Sequence, residues 1–156
     1  MTSQARSGDR DAVLSSVLKA LRRHRRLTVL QVAERMRLEK RTYERFEAGE
    51  GELKVDRIFS FAQAINADPY ALLASVKLGS PDFAVACADN KLALLFVAHA
   101  RELFVREGED VRLLQAQPIV EVLAAARARL GKELAELRDQ AAKWMPPPPD
   151  DDEPES

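Results

Sequence analysis

The sequence predicts an all-α protein, and three observations predict it. Ala, Leu, Arg and Glu dominate, and glycine occurs only six times in 156 residues, a bias that favours helix. Apolar residues recur at spacings of three and four along most of the chain, which keeps them on one face of a 3.6-residue spiral. Helix-capping residues stand where these stripes begin and end. Together they predict five short helices within residues 11–77 and a second helical region over 82–144. A flexible segment, 1–10, precedes them, and a disordered Pro-rich acidic tail, 145–156, follows.

The first helix is predicted from Asp11, with Val13, Leu14, Val17, Leu18 and Leu21 forming its stripe. It ends in "RRHRR", where cations meet the negative end of the helix dipole. Thr28 is a good N-cap and Gln31 completes a capping box, so a second helix starts there, with Val32, Ala33 and Met36 inward. The turn Arg37-Leu38-Glu39 leads to a third helix over about Lys40 to Ala48. Tyr43 and Phe46 face inward there, and Gly49 closes it as a C-cap glycine. A fourth helix runs from about Val55 to Asn66 on Ile58, Phe61, Ala62 and Ile65. Asp68-Pro69 then signals a fifth helix, by an N-cap followed by proline at the first helical position. The stretch "LGSPD" at 78–82 reads as a domain boundary.

The second half repeats the helical pattern. Leu92, Leu95, Phe96, His99 and Leu103 share a face. After Pro118, apolar residues recur at Ile119, Leu123, Ala126, Leu130, Leu134, Leu137, Ala141 and Trp144. That long stripe suits a bundle or a partner helix, and two successive steps of four depart from a strict heptad.

The net charge of −1 hides a basic first half and an acidic second half, an asymmetry that points to an anionic partner for the N-terminal domain alone. No apolar run reaches the ~18–20 residues of a membrane span, and the N-terminus lacks the apolar core of a secretory signal. The single cysteine, Cys87, excludes an intramolecular disulfide and fits a reducing, cytoplasmic setting. No glycine-rich phosphate loop occurs. After Ser80 the only serine is Ser156, which removes a Ser/Lys protease. Two isolated histidines and one cysteine make no metal-ligand set. The expectation is a protein that is not an enzyme and needs no metal or cofactor.

Two helices joined by a three-residue turn inside a five-helix domain describe a helix-turn-helix. Residues 14–76, and above all "LTVLQVAERMRLEKRTYERFEAGE", resemble the Cro/C1-type (XRE) DNA-binding domain. Leu27, Thr28, Ala33, Leu38, Tyr43, Glu47 and Gly49 stand in register with that family's pattern. The resemblance implies a lambda-repressor-like fold in which the third helix enters the major groove of double-stranded DNA. Lys40, Arg41, Thr42, Glu44 and Arg45 are then the base-contacting candidates. Arg22, Arg23, Arg25, Arg26, Thr28, Arg35 and Arg37 are the phosphate-contacting ones. Glu47 is expected to pair with an arginine or cap a backbone amide.

The function expected is a bacterial sequence-specific transcriptional regulator, repression ahead of activation. It acts as a homodimer whose interface includes Leu123, Leu130, Leu134 and Leu137. Three residues depart from the family pattern (Val29 for glutamine, Arg37 for the turn glycine, Glu39 for a Ser/Thr cap), and Val29, Glu39 and the acidic second half keep a rival open. That rival is a protein-interaction adaptor, or an antitoxin with a protein partner, on the same scaffold.

Overall fold

The computed structural model describes residues 2–50 and 54–144. Among them it forms eight α-helices and no strand: α1 (Thr2–His24), α2 (Val29–Arg35), α3 (Lys40–Glu47), α4 (Val55–Ala64), α5 (Pro69–Leu78), α6 (Pro81–Cys87), α7 (Leu92–Glu107) and α8 (Ala116–Trp144). A 3₁₀ turn covers Gly108–Leu113. The chain divides into two compact units, Met1–Arg106 and Glu107–Ser156. The all-α reading therefore holds. The expected disordered tail, 145–156, lies outside the described residues.

In the first unit the predicted stripes converge on one core. Leu14, Val17, Leu18 and Leu21 of α1 are buried with Val32 and Ala33 of α2, Tyr43 and Phe46 of α3, Ile58 and Phe61 of α4, and Leu72 and Val76 of α5. Tyr43, Phe46 and Phe61 form an aromatic group with ring centroids 6.3, 6.4 and 6.1 Å apart, within the range of attractive edge and offset geometries.

The helix ends follow the sequence signals closely. Thr28 Oγ1 accepts from Gln31 N at 3.2 Å, and Thr28 N donates to Gln31 Oε1 at 2.8 Å, which is the predicted capping box. Asp68 Oδ1 accepts from Tyr70 N and Ala71 N above Pro69. Helices α1 to α4 all stop in one way. A residue in the left-handed region (Arg26, Arg37, Gly49 or Asn66) follows each helix. The next amide then bonds back five residues, as Leu38 N does to Ala33 O at 2.9 Å and Glu50 N to Arg45 O at 2.9 Å. This paired pattern satisfies carbonyls that would otherwise be orphaned. Arg37, in the place of the turn glycine, adopts the left-handed conformation at φ 54° and keeps the turn.

The structure differs from the sequence reading at two places. Helix α1 begins at Thr2, so its backbone runs through the segment expected to be flexible; no proline interrupts residues 2–10. The expected boundary at 78–82 is a turn within one core. Gly79 ends α5 at φ 69°, Pro81 opens α6, and Ala84, Cys87 and Ala88 are buried. "LGSPD" is thus the same glycine-stop and proline-start punctuation used elsewhere in the domain.

Helix α7 starts on this core, where Asp68 Oδ2 accepts from Leu94 N at 2.9 Å. Beyond that start it buries no residue, and Leu95, Phe96, Leu103 and Phe104 are exposed. No single described helix is long and apolar enough to cross a membrane. Only α6 and Leu92–Leu113 taken together reach that length and apolarity, and they are bent by 74°. The second unit contains α8, which also buries no residue.

Candidate nucleic-acid interface

The short α2–α3 pair depends on a polar lock at its back. Glu47, on the last turn of α3, is only 5% exposed. Arg22 of α1 grips it with two nitrogens, Nε at 2.6 Å and Nη2 at 3.2 Å, and Tyr43 donates its hydroxyl to the same carboxylate at 2.8 Å. A third Arg22 nitrogen donates to Leu27 O at 3.1 Å. A buried carboxylate held by a guanidinium from α1 and a phenol from its own helix fixes the roll of α3 against α1, because losing the arginine would leave a charge unpaired in the core. Burial, and next the bond to Glu47, push the Tyr43 phenol far above its ordinary range. The bond to Glu47 holds the Arg22 guanidinium above its ordinary value too.

With α3 fixed in roll, its other face is fixed outward. Lys40, Arg41, Glu44 and Arg45 are exposed and Thr42 is half-buried. Lys40 Nζ lies 3.5 Å from Glu44 Oε1 and Arg45 Nε 3.2 Å from Glu50 Oε2. Arg41 makes no ion pair among the described residues. The face therefore presents one unpaired guanidinium flanked by two cations that must exchange an internal carboxylate for any external acceptor. Exposed ion pairs of this sort are worth about 0–1 kcal/mol, a small barrier to exchange with a base edge or phosphate. Glu39 holds the N-cap position without a side-chain cap bond, so its carboxylate is also outward.

The seven phosphate candidates separate into two groups. Arg23, Arg26, Thr28, Arg35 and Arg37 are exposed around α2–α3. Arg26 and Arg37 project from left-handed turn positions, and Arg35 rests one nitrogen on Ala64 O at 3.3 Å. Thr28 uses its oxygen as the cap acceptor and keeps a hydroxyl proton to donate. Arg22 and Arg25, also expected here, are instead engaged by partners within the protein. Arg22 belongs to the Glu47 lock. Arg25 binds Asp89 and donates to Asn66 O at 2.6 Å and Ala88 O at 3.3 Å. Helical phase explains part of the division: Arg22 follows buried Leu18 by four and shares its side of α1, while Arg23 turns away, and Arg25 and Arg26 part in the turn after His24, where Arg26 is left-handed.

Sequence reasoning missed the partners that hold Arg25. Asp89 lies 64 residues away, and its carboxyl is kept below the usual range by the bond from Arg25 and then by His24. Lys91, with its amine on Asn66 O and Ala88 O, also falls outside any local pattern. The pairing of Arg45 with Glu50 was legible only as a five-residue spacing across the Gly49 turn. Among the described residues no group of three His, Cys, Asp or Glu side chains could hold a metal ion. In the second unit Leu123, Leu130, Leu134 and Leu137 are all exposed.

A family model described as a helix-turn-helix domain matches residues 13–74. No curated protein and no solved structure matches the chain. The match spans the first five helices, apart from the ends of α1 and α5, and includes the turn and the outward face of α3. Residues 13–74 therefore form a helix-turn-helix domain.

Proposed function

We propose that the protein is a sequence-specific transcriptional regulator that binds double-stranded DNA as a homodimer and represses transcription. The observation that carries this reading is the outward face of α3: Lys40, Arg41, Thr42, Glu44 and Arg45 point away from a roll fixed by the Arg22–Glu47–Tyr43 lock. Arg41 and Arg45 suit guanine O6 and N7, and Glu44 suits cytosine N4. Arg23, Arg26, Arg35 and Arg37 position the domain on the phosphates, with Thr28 at the start of α2. One module of this size binds weakly, and two recognition helices about one DNA turn apart multiply affinity. The exposed leucines of α8 supply a surface for that pairing.

Gel shifts against genomic fragments test the reading. The wild type is expected to select a small set of fragments, and Arg41→Ala with Arg45→Ala to abolish that selection. An unchanged affinity and salt dependence in the double variant would remove α3 as the reading helix.

The Lys40–Glu44 and Arg45–Glu50 pairs, with Glu39 outward, favour one second reading, an adaptor or antitoxin whose α3 face meets a protein. Retained protein binding with no DNA binding at low salt would select it.

A further inference from the structure

Helix α8 has 29 residues and buries none of them. Leu130, Leu134, Leu137 and Trp144 are 45, 52, 58 and 88% exposed, although at about 100° per residue they fall within one narrow stripe. No described residue of its own unit buries this face.

The spacing and charge of this segment specify how an identical helix would lie. From Leu130 the apolar positions run 130, 134, 137, 141 and 144, in steps of four, three, four and three, a continuous heptad register. The single irregularity, the four-residue step between Ala126 and Leu130, lies at the start of this segment. Glu133 immediately precedes one seam position and Arg138 immediately follows the next, so they flank the seam on opposite sides, five residues apart. In a parallel two-stranded pair those two positions face each other across the seam, and symmetry makes the contact twice. In an antiparallel pair each flank meets its own kind, so Glu133 and Arg138 cannot pair with each other. Among the described residues neither Glu133 nor Arg138 forms an ion pair, and both are exposed.

We infer that Leu130–Trp144 of α8 is covered by the same segment of a second copy, lying parallel and in register, with Glu133 of each copy paired to Arg138 of the other. This deepens the homodimer reading and rests on it.

Two variants in a Cys87→Ala background, Leu130→Cys and Leu137→Cys, test the orientation on the full chain. Parallel, in-register helices place each introduced thiol opposite itself, so both variants are expected to give disulfide-linked dimers on mild oxidation. Antiparallel helices bring a residue opposite itself at one level only. Light scattering that shows a dimer of which only one variant cross-links would overturn the parallel register and leave the homodimer standing. A monomer at micromolar concentration would overturn both. Charge exchange with Cys87 retained provides an independent arm. Glu133→Arg is expected to weaken dimerisation by roughly tenfold by setting like charges together at two places. Adding Arg138→Glu is expected to restore the wild-type value. A double variant as weak as the single would overturn the pairing.

Discussion

Helices α1 and α8 carry the same kind of stripe and meet opposite fates. In α1, Leu14, Val17, Leu18 and Leu21 are buried in a core where α1 packs on α3, α5 and α6. In α8, Leu123, Leu130, Leu134 and Leu137 remain about half exposed. Composition and spacing do not distinguish them. What differs is the presence of an internal polar anchor. Arg22 of α1, and Arg25 in the turn that follows it, reach Glu47, Asp89 and the carbonyls of Leu27, Asn66 and Ala88, in the turns after α1, α4 and α6. α8 has charges only along its flanks. Periodicity names the face a helix will bury, and the long-range polar contacts name the neighbour that will bury it.

If this contrast is correct, the largest stability effects belong to the anchors. Glu47→Ala leaves a guanidinium and a phenol without their shared acceptor and is expected to cost about 3 kcal/mol, read by urea unfolding. Gly49→Ala comes next. Its φ of 77° disfavours a side chain, and the added Cβ would lie 2.3 Å from Asp11 O of α1. A loss of about 2 kcal/mol in the same assay is expected.

Tyr43→Phe removes one bond to Glu47 and leaves Arg22, at about 1 kcal/mol. It also changes the pH dependence. The folded protein holds the phenol protonated far above its ordinary value, so its contribution is complete below about pH 10 and declines as pH rises beyond that, when the unfolded chain ionises first. The wild type should lose stability more steeply than Tyr43→Phe in that window.

Arg37→Gly reverses the sign. Relief of a left-handed arginine at φ 54° is expected to add roughly 1 kcal/mol. The slope of log affinity against log salt should fall by about 0.9 for each protomer that loses a phosphate contact. A stabilised variant with unaltered salt dependence would strike Arg37 from the interface. The smallest effect completes the comparison. Leu134→Glu, on the uncovered stripe, should move the unfolding transition of the helix-turn-helix unit by less than about 0.5 kcal/mol, while dissociating the dimer in light scattering.

The local parts of this molecule were legible in its sequence. The Thr28–Gln31 box, the Asp68–Pro69 start, the Gly49 stop and the inward faces of α1 to α5 each depend on residues within one or two turns, so spacing suffices. The outward face of α3 followed from them, once Tyr43 and Phe46 were assigned inward. The sorting of "RRHRR" was only half legible. Phase separates Arg22 from Arg23, but the carboxylates that hold Arg22 and Arg25 lie 25 and 64 residues away. The role of α6 was hidden for a different reason. Proline and glycine punctuate turns between packed helices as readily as they punctuate linkers, and the burial of Ala84, Cys87 and Ala88 is a tertiary fact.

Asp68 spends one oxygen on the cap of α5 and the other on Leu94 N, at the first turn of α7. The consequence concerns where the chain can be cut. A fragment that stopped near residue 77, at the end of the recognisable domain, would discard Asp89 from Arg25, Ala84 and Ala88 from the core, and the donor to the second oxygen of a carboxylate only 1% exposed. The smallest piece that keeps those groups satisfied reaches Leu94, about twenty residues past the family match.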